Sequence, residues 1–255
     1  MVLALWSLPA GAADAPAAPP APSATGSLPS AKEVIARHVA AIGGRDALLR
    51  LTSMRGKGRF EMPTQRLSGE FEFLRATPNR QIVRVTVANV GQITTGFDGK
   101  VGWLLNPFNG ASLLEGQMLD QSRDEADFYS QLHQEQNFKS MNTVQRTQFA
   151  EQECYEVKLV WKSGRETTEF YSASTGLQVG VRQQQQTAQG QAEVTTRLSD
   201  YKKFGDLLQP TKIAQKMGEV EQTITITSIN FDPIPDSEFA LPEAVKALLK
   251  PAPPK

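Results

Sequence analysis

Few side chains in this chain are equipped to make or break bonds. The sequence has two histidines, His38 and His133, and one cysteine, Cys154. A nucleophilic triad needs a histidine held between an acid and a hydroxyl or thiol. His38 lies beside Arg37 on an amphipathic stretch, and His133 falls late in a second helical stretch. No such set can be built from these contexts, and both histidines read as exposed or capping residues. Neither fits HExxH or HxxEH, so a zinc peptidase is disfavoured, and one cysteine cannot supply a thiolate metal site. Cys154 reads as a small buried hydrophobe. The glycine pairs Gly43-Gly44 and Gly96–Gly99 do not open a helix after a strand, as a phosphate loop requires. Carboxylate neighbours such as Glu70/Glu72 and Asp124/Glu125 lie on polar faces and read as solvated. The expectation is a protein that is not an enzyme and needs no cofactor or metal.

The remaining candidates are apolar. Phe60, Phe71, Phe73, Val85, Trp103 and Trp161 fall on the inward phase of alternating segments and could line a cavity. A packed core between sheet and helices is the heavier reading of each. The Arg55–Lys57–Arg59 stripe on the other phase could meet lipid headgroups or an acidic partner, but an ordinary solvated strand face is favoured.

These residues are positioned by a run of strands. Ser30–Ile42 has helical spacing, with Ser30 and Glu33 at the capping-box distance and Gly43-Gly44 as a stop. From about Thr52 to Phe231 the period is two. Turn signals at Pro78-Asn79, Asp98-Gly99, Ser163-Gly164 and Thr175-Gly176 separate the strands. Gln117–Lys139 interrupts them with helical spacing. Ile224 and Ile226 share one phase and Ile229 and Phe231 the other, which predicts a bulge or corner. The count is about eleven antiparallel strands, and a sheet that long must curl or close. The expected class is mainly β with α: a curled sheet or half-open β-barrel, with helices on its concave face.

Bulk properties exclude other roles. Basic and acidic residues number 27 each, and omitting residues 1–29 leaves an excess of one basic residue. Nucleic-acid binders carry a clear basic excess, so that class is disfavoured. Residues 1–29 read as a signal-like segment and an Ala/Pro-rich disordered linker. Met1–Leu8 is apolar and Ala10-Gly11-Ala12 has the form of a cleavage site. The basic residue that should precede it is missing, as in a signal truncated at its N-terminus. No Cys follows that site, which argues against N-terminal acylation. No later stretch is long and apolar enough for a transmembrane segment. Residues 30–250 read as one domain and 251–255 as a Pro-rich tail. The expected localisation is periplasmic or otherwise exported.

Four local patterns, Gly96–Trp103 (GFDGKVGW), Phe170–Gly180 (FYSASTGLQVG), Asp200–Lys212 (DYKKFGDLLQPTK) and Asp236–Pro242 (DSEFALP), carry a likeness. In that order, within the strand succession, the chain resembles the LolA/LolB-like lipoprotein-carrier superfamily. Ala41–Ala47 (AIGGRDA) is closer to its outer-membrane lipoprotein-sorting-like relatives. The resemblance implies a half-open barrel with an apolar cavity and, as partner, a lipid or lipoprotein acyl chain. No carrier residue aligns one-to-one here. The alternative is a structural or interaction module of an envelope assembly, with a filled core, an envelope protein as partner and no ligand. Residues 1–29 are expected to be unstructured or removed on export, and N-terminal sequencing of the exported protein checks this.

Overall fold

The computed structural model describes residues 27–187 and 190–249. The signal-like and Ala/Pro-rich segments up to residue 26, and the Pro-rich tail, lie outside the described residues. The elements run α1 (Ala31–Ala41), α2 (Arg45–Leu49), β1 (Ser53–Met62), β2 (Leu67–Ala76), β3 (Arg80–Val87), β4 (Gly91–Phe97), β5 (Gly102–Asn106), β6 (Gly110–Leu113), α3 (Gly116–Ala126) and α4 (Gln134–Asn137). They continue with β7 (Phe138–Phe149), β8 (Gln152–Trp161), β9 (Glu166–Ser172), β10 (Gln178–Thr187), β11 (Gly190–Phe204), β12 (Leu207–Met217), β13 (Val220–Asn230) and α5 (Glu243–Leu249). The strands form one 13-stranded sheet, ordered β6-β5-β4-β3-β2-β1-β13-β12-β11-β10-β9-β8-β7. Strands β6 and β7 are its two edges, and the sheet is not closed. The architecture is therefore mainly β, as expected, with thirteen strands instead of about eleven. The short β6 escaped the sequence reading because four residues carry too little alternation to register.

The chain divides into two compact units: residues up to Leu48 with Gln131–Thr223, and Leu49–Ser130 with Ile224 onward. In the second unit, β1 to β6 form an antiparallel meander in continuous register. One face carries Phe60, Phe71, Phe73, Val83 and Val85. Gly56, Gly58 and Gly69 lie among them, and each has a reason to lack a Cβ. A Cβ on Gly56 would lie 2.0 Å from the Phe73 ring; on Gly58 and Gly69 it would lie 2.1 Å from the carbonyl oxygens of Thr225 and Thr86. Neighbouring backbone therefore rises over this face at both glycines, and only glycine permits such an approach. Helix α3 covers one end of the same face. Leu119 packs at Gly102, and Gln81 donates to the Ser122 carbonyl.

The opposite face of this unit holds Leu74, Ala76, Ile82 and Trp103. The C-terminal segment covers it with Phe239 and Val245, both buried. A charged group surrounds this packing: Arg84 binds Glu72 and Glu238, Arg55 binds Glu238, and Arg80 binds Asp236. The Arg55 end of the basic stripe is thus paired within the protein, while Lys57 and Arg59 face solvent.

In the first unit, β7 to β12 form a second meander. Helix α1 begins with the complete capping box of Ser30 and Glu33. Its apolar stripe of Ala31, Val34 and Ile35 packs on Tyr155, Val157, Leu159 and Tyr171. The reverse face of these strands carries Cys154, Phe149, Phe170 and Val179. The thiol is fully buried, and that burial pushes its pKa up to about 11, so it serves as packing.

The long helical insert is corrected. Helix α3 stops at Ala126, where Asp127 leaves helical geometry (φ −56°, ψ 111°) and its carboxylate accepts from the Tyr129 N–H. Such an Asx turn gives the backbone a competing partner and ends the helix. Only the single-turn α4 follows, and β7 starts at Phe138, four residues before the strand expected from Asn142. In β13 the burial alternation breaks at the adjacent exposed residues Thr227 and Ser228, where the sequence changes phase.

Trp103→Ala should destabilise the protein by roughly 3–5 kcal/mol, because it empties a site closed by Leu74, Ile82 and Phe239. Urea unfolding checks this, and a loss below about 1 kcal/mol would contradict the packing described.

Candidate functional site

The strands bring four of the six candidate residues together. Phe71 pairs with Gly58 on β1 and Val85 on β3; Phe73 pairs with Gly56 and Val83; Phe60 pairs with Gly69. Phe60, Phe71, Phe73 and Val85 thus form one apolar patch across three strands. The Phe71 and Phe73 rings are 6.1 Å apart, and the four side chains are at most 5% exposed. Trp103 belongs to the reverse face. It pairs with Gly96, which pairs with Ile82, which pairs with Leu74. Its ring lies over Gly96, where a Cβ would be 2.3 Å away. Trp161 is in the other unit, on the face that holds Val157 and Leu159. Its ring contacts Phe138 at 4.5 Å, and the Arg165 guanidinium stacks on it at 4.4 Å. Alternation within a strand assigns relative phase, but only the pairing register decides which phases share a face.

At the α3 end of the Phe71 face sits a half-buried cation. Arg75 donates to the carbonyls of Glu125 (2.7 Å) and Asp127 (2.9 Å), and lies 5.9 Å from the Phe128 ring centroid. Burial lowers its pKa, while the charges of Glu125 and Asp127 oppose that shift. These carbonyls belong to the C-terminal end of α3, where the helix dipole favours positive charge. Arg75 therefore ties the helix to the strands it covers.

The titratable groups serve structure. His38, expected at the surface, is 3% exposed. Its Nδ1 accepts from the Gln178 N–H at 3.2 Å, and its ring meets Tyr171 edge-on at 5.4 Å. Desolvation lowers its pKa to about 4, so it is neutral at physiological pH. Its i, i+4 relation to Val34 puts it on the buried stripe of α1 despite its polarity. His133 takes the N-cap position of α4, with its carbonyl accepting from the N–H groups of Gln136 and Asn137. No group of three or more His, Cys, Asp or Glu placed to hold a metal occurs among the described residues. Glu238 is pushed up by burial but held below the usual carboxylate range overall by hydrogen bonds from Arg84 and Arg55.

Sequence reasoning missed a polar row in the first unit. Glu169, Thr196 and Gln215 share one face with Val157 and Val181, and Gln222 bonds to Gln215. Thr167 and Gln183 lie in the next row. Burial pushes the Glu169 carboxyl up, against the hydrogen bond it accepts from the Tyr171 hydroxyl. The available signal was phase: Gln183 lies two residues after Val181 and so shares its inward face.

No protein-family model matches the sequence, and no curated protein matches it. Solved structures do resemble the fold. A LolA superfamily protein from Nitrosomonas europaea aligns with TM-score 0.57 at 13% identity, over 84% of this chain and 99% of that one. A DUF1329 family protein from Desulfovibrio piger aligns with TM-score 0.57 at 10% identity, over 82% and 95%. A domain described as an outer membrane lipoprotein-sorting protein, from Vibrio parahaemolyticus, aligns with TM-score 0.50 at 11% identity, over 86% and 97%. No helix among the described residues is long and apolar enough to cross a membrane.

His38 gives a pH test. Its folded pKa of about 4 lies below the ordinary 6.5, so between these values the unfolded chain binds more protons. Its contribution is complete above pH 6.5 and falls away as pH drops toward 4, by roughly 3 kcal/mol in all. Urea unfolding across that range should show the slope, and His38→Gln should flatten it; an unchanged slope in the variant would assign it to other groups. These arrangements together give the chain a LolA-like fold.

Proposed function

We propose that residues 30–250 act as one non-enzymatic, exported domain that binds or carries an apolar group, a lipid or a lipoprotein acyl chain. The observation that carries this reading is the Phe60–Phe71–Phe73–Val85 face, with α3 tied over its end by Arg75. The likeness in fold to a protein described as lipoprotein-sorting supports it. The signal-like residues 1–12 support export to the periplasm.

The mechanism is burial. Hiding a sixteen-carbon chain gains about 0.8 kcal/mol per CH₂, or roughly 12 kcal/mol before ordering costs. The four side chains are almost fully covered in the resting state. The chain must therefore enter by displacing protein packing, and α3 is the element to move. It is short, and the end of the helix is held by Arg75 through carbonyl hydrogen bonds. A second reading draws on the same coverage: the face is filled by the protein's own side chains, and the domain is an envelope interaction module.

Native mass spectrometry of protein purified from an envelope fraction should show a retained lipid. Amide hydrogen exchange in α1 and α3 should be faster than in β3 and β8, and should slow when a fatty acid or lipopeptide is added. Strand-like protection in both helices, unchanged by every amphiphile tested, would select the filled module.

A further inference from the structure

The first unit carries a buried polar feature that an apolar carrier does not need. Gln183 is 4% exposed. Its Oε1 accepts from Arg165 Nη1 at 3.0 Å, whereas its Nε2 has no hydrogen-bond partner. An unsatisfied buried amide donor costs about 1–3 kcal/mol. Thr167 (3% exposed) lies opposite it on β9, and Thr196 (0%) lies on β11, one row away. Gln222 donates to Gln215, and Gln215 Nε2 donates to Thr196 Oγ1 at 3.2 Å, so the hydrogen bonds run toward the Thr196 hydroxyl. That oxygen is already an acceptor, which leaves its own O–H to donate. Rows two residues apart on paired strands lie about 7 Å from each other, within reach of one small polar group.

This polar patch is bordered by hydrocarbon. Val157, Leu159, Val181 and Val194, all buried, share its face. Glu169, on the same face, is half-buried. Gln183, Thr167 and Thr196 are at most 4% exposed, and burial already pushes the Glu169 carboxyl up, so these surroundings favour an uncharged carbonyl over a carboxylate.

We infer that Gln183 and Thr196 form a subsite for an uncharged acyl carbonyl, the ester or amide of an acylated ligand, with hydrocarbon packed on the valines beside it. The inference rests on the lipid-binding reading and narrows it: the ligand is an ester or amide, and a free fatty acid binds less well. Gln183 Nε2 donates to the carbonyl oxygen, which satisfies the lone amide, and the Thr196 hydroxyl is the second donor. No covalent step is involved.

Delipidated protein would be titrated with monooleoylglycerol and with oleate, two ligands that share one acyl chain. The ester should bind more tightly. Gln183→Leu should weaken ester binding about fivefold to tenfold and change oleate binding by less than about twofold. Thr196→Val should act in the same direction. A carbonyl-¹³C ester should show a downfield shift on binding that Gln183→Leu abolishes. The ligand-free melting temperature of Gln183→Leu should fall modestly, because the variant removes the acceptor of Arg165 Nη1 along with the unpartnered amide, so the ester preference is the deciding readout. Equal binding of both ligands, or equal loss of both in Gln183→Leu, overturns the subsite while leaving the lipid-binding reading intact. Binding of neither ligand to the unaltered protein overturns both. A lowered melting temperature with unchanged ester preference makes Gln183 a structural residue and also overturns the subsite.

Discussion

Three aromatic rings lie where three glycines have no side chain, and much of the packing depends on that vacancy. Phe73 covers Gly56, Trp103 covers Gly96 and Phe149 covers Gly180, each in a position that a Cβ would occupy at 2.0 to 2.3 Å. Phe73 and Trp103 lie directly across the ladder from their glycines, and Phe149 reaches its glycine while stacking on Phe170 at 4.1 Å. A ring held flat on backbone loses little solvent exclusion and leaves the layer above it thin. The Phe71 face, the Trp103 face and the Cys154 face each use the device, so each can be apolar without a thick covering of other side chains.

Much of this was legible in the sequence, for physical reasons. Period-two alternation is imposed by strand geometry, so β1, β2, β3 and β8 stood out. The capping box fixed the start of α1 because Ser30 and Glu33 act locally. The Asp98-Gly99 turn was visible for the same reason: Asp98 accepts from the N–H groups of Lys100 and Val101, both at 2.8 Å. What stayed hidden was non-local. No local signal tells that Trp103 and Phe71 occupy opposite faces, since that follows from pairing through Gly96, Ile82 and Leu74. The Asp127 turn was visible only as one more acidic residue in a helical stretch. His38 was read by residue type and the row of Gln183 was not read at all; each is fixed by a partner elsewhere in the chain, at Gln178 and Arg165.

The two faces of the β1–β6 meander are held by different physics. On the Phe71 side, α3 is held by Arg75 on two carbonyl oxygens at its C-terminal end, by Gln81 on the Ser122 carbonyl and by Leu119 packed at Gly102. On the Trp103 side, an apolar plug is ringed by Arg55, Arg80 and Arg84 with their carboxylates. A plug surrounded by ion pairs resists sliding and opening together, because moving it separates charge and exposes hydrocarbon at once. Helix α3 is held instead by directed hydrogen bonds with an apolar contact, whereas ion pairs ring the plug.

The order of the chain through its two units affects how the protein can be made. Each unit is assembled from segments that are distant in sequence: residues before Leu48 join those after Gln131, and Leu49–Ser130 joins Ile224 onward. Synthesis is vectorial, and a domain folds once its partners have emerged. Strands β1 to β6 leave the ribosome early, yet the segment that covers their Trp103 face, Ile234 to Val245, is among the last to appear. Until then that face has uncovered hydrocarbon, Arg55 and Arg80 lack their partners Glu238 and Asp236, and Arg84 has only Glu72. The β1–β6 unit therefore cannot close its Trp103 face until Ile234, Phe239 and Val245 have been made, well after its own strands.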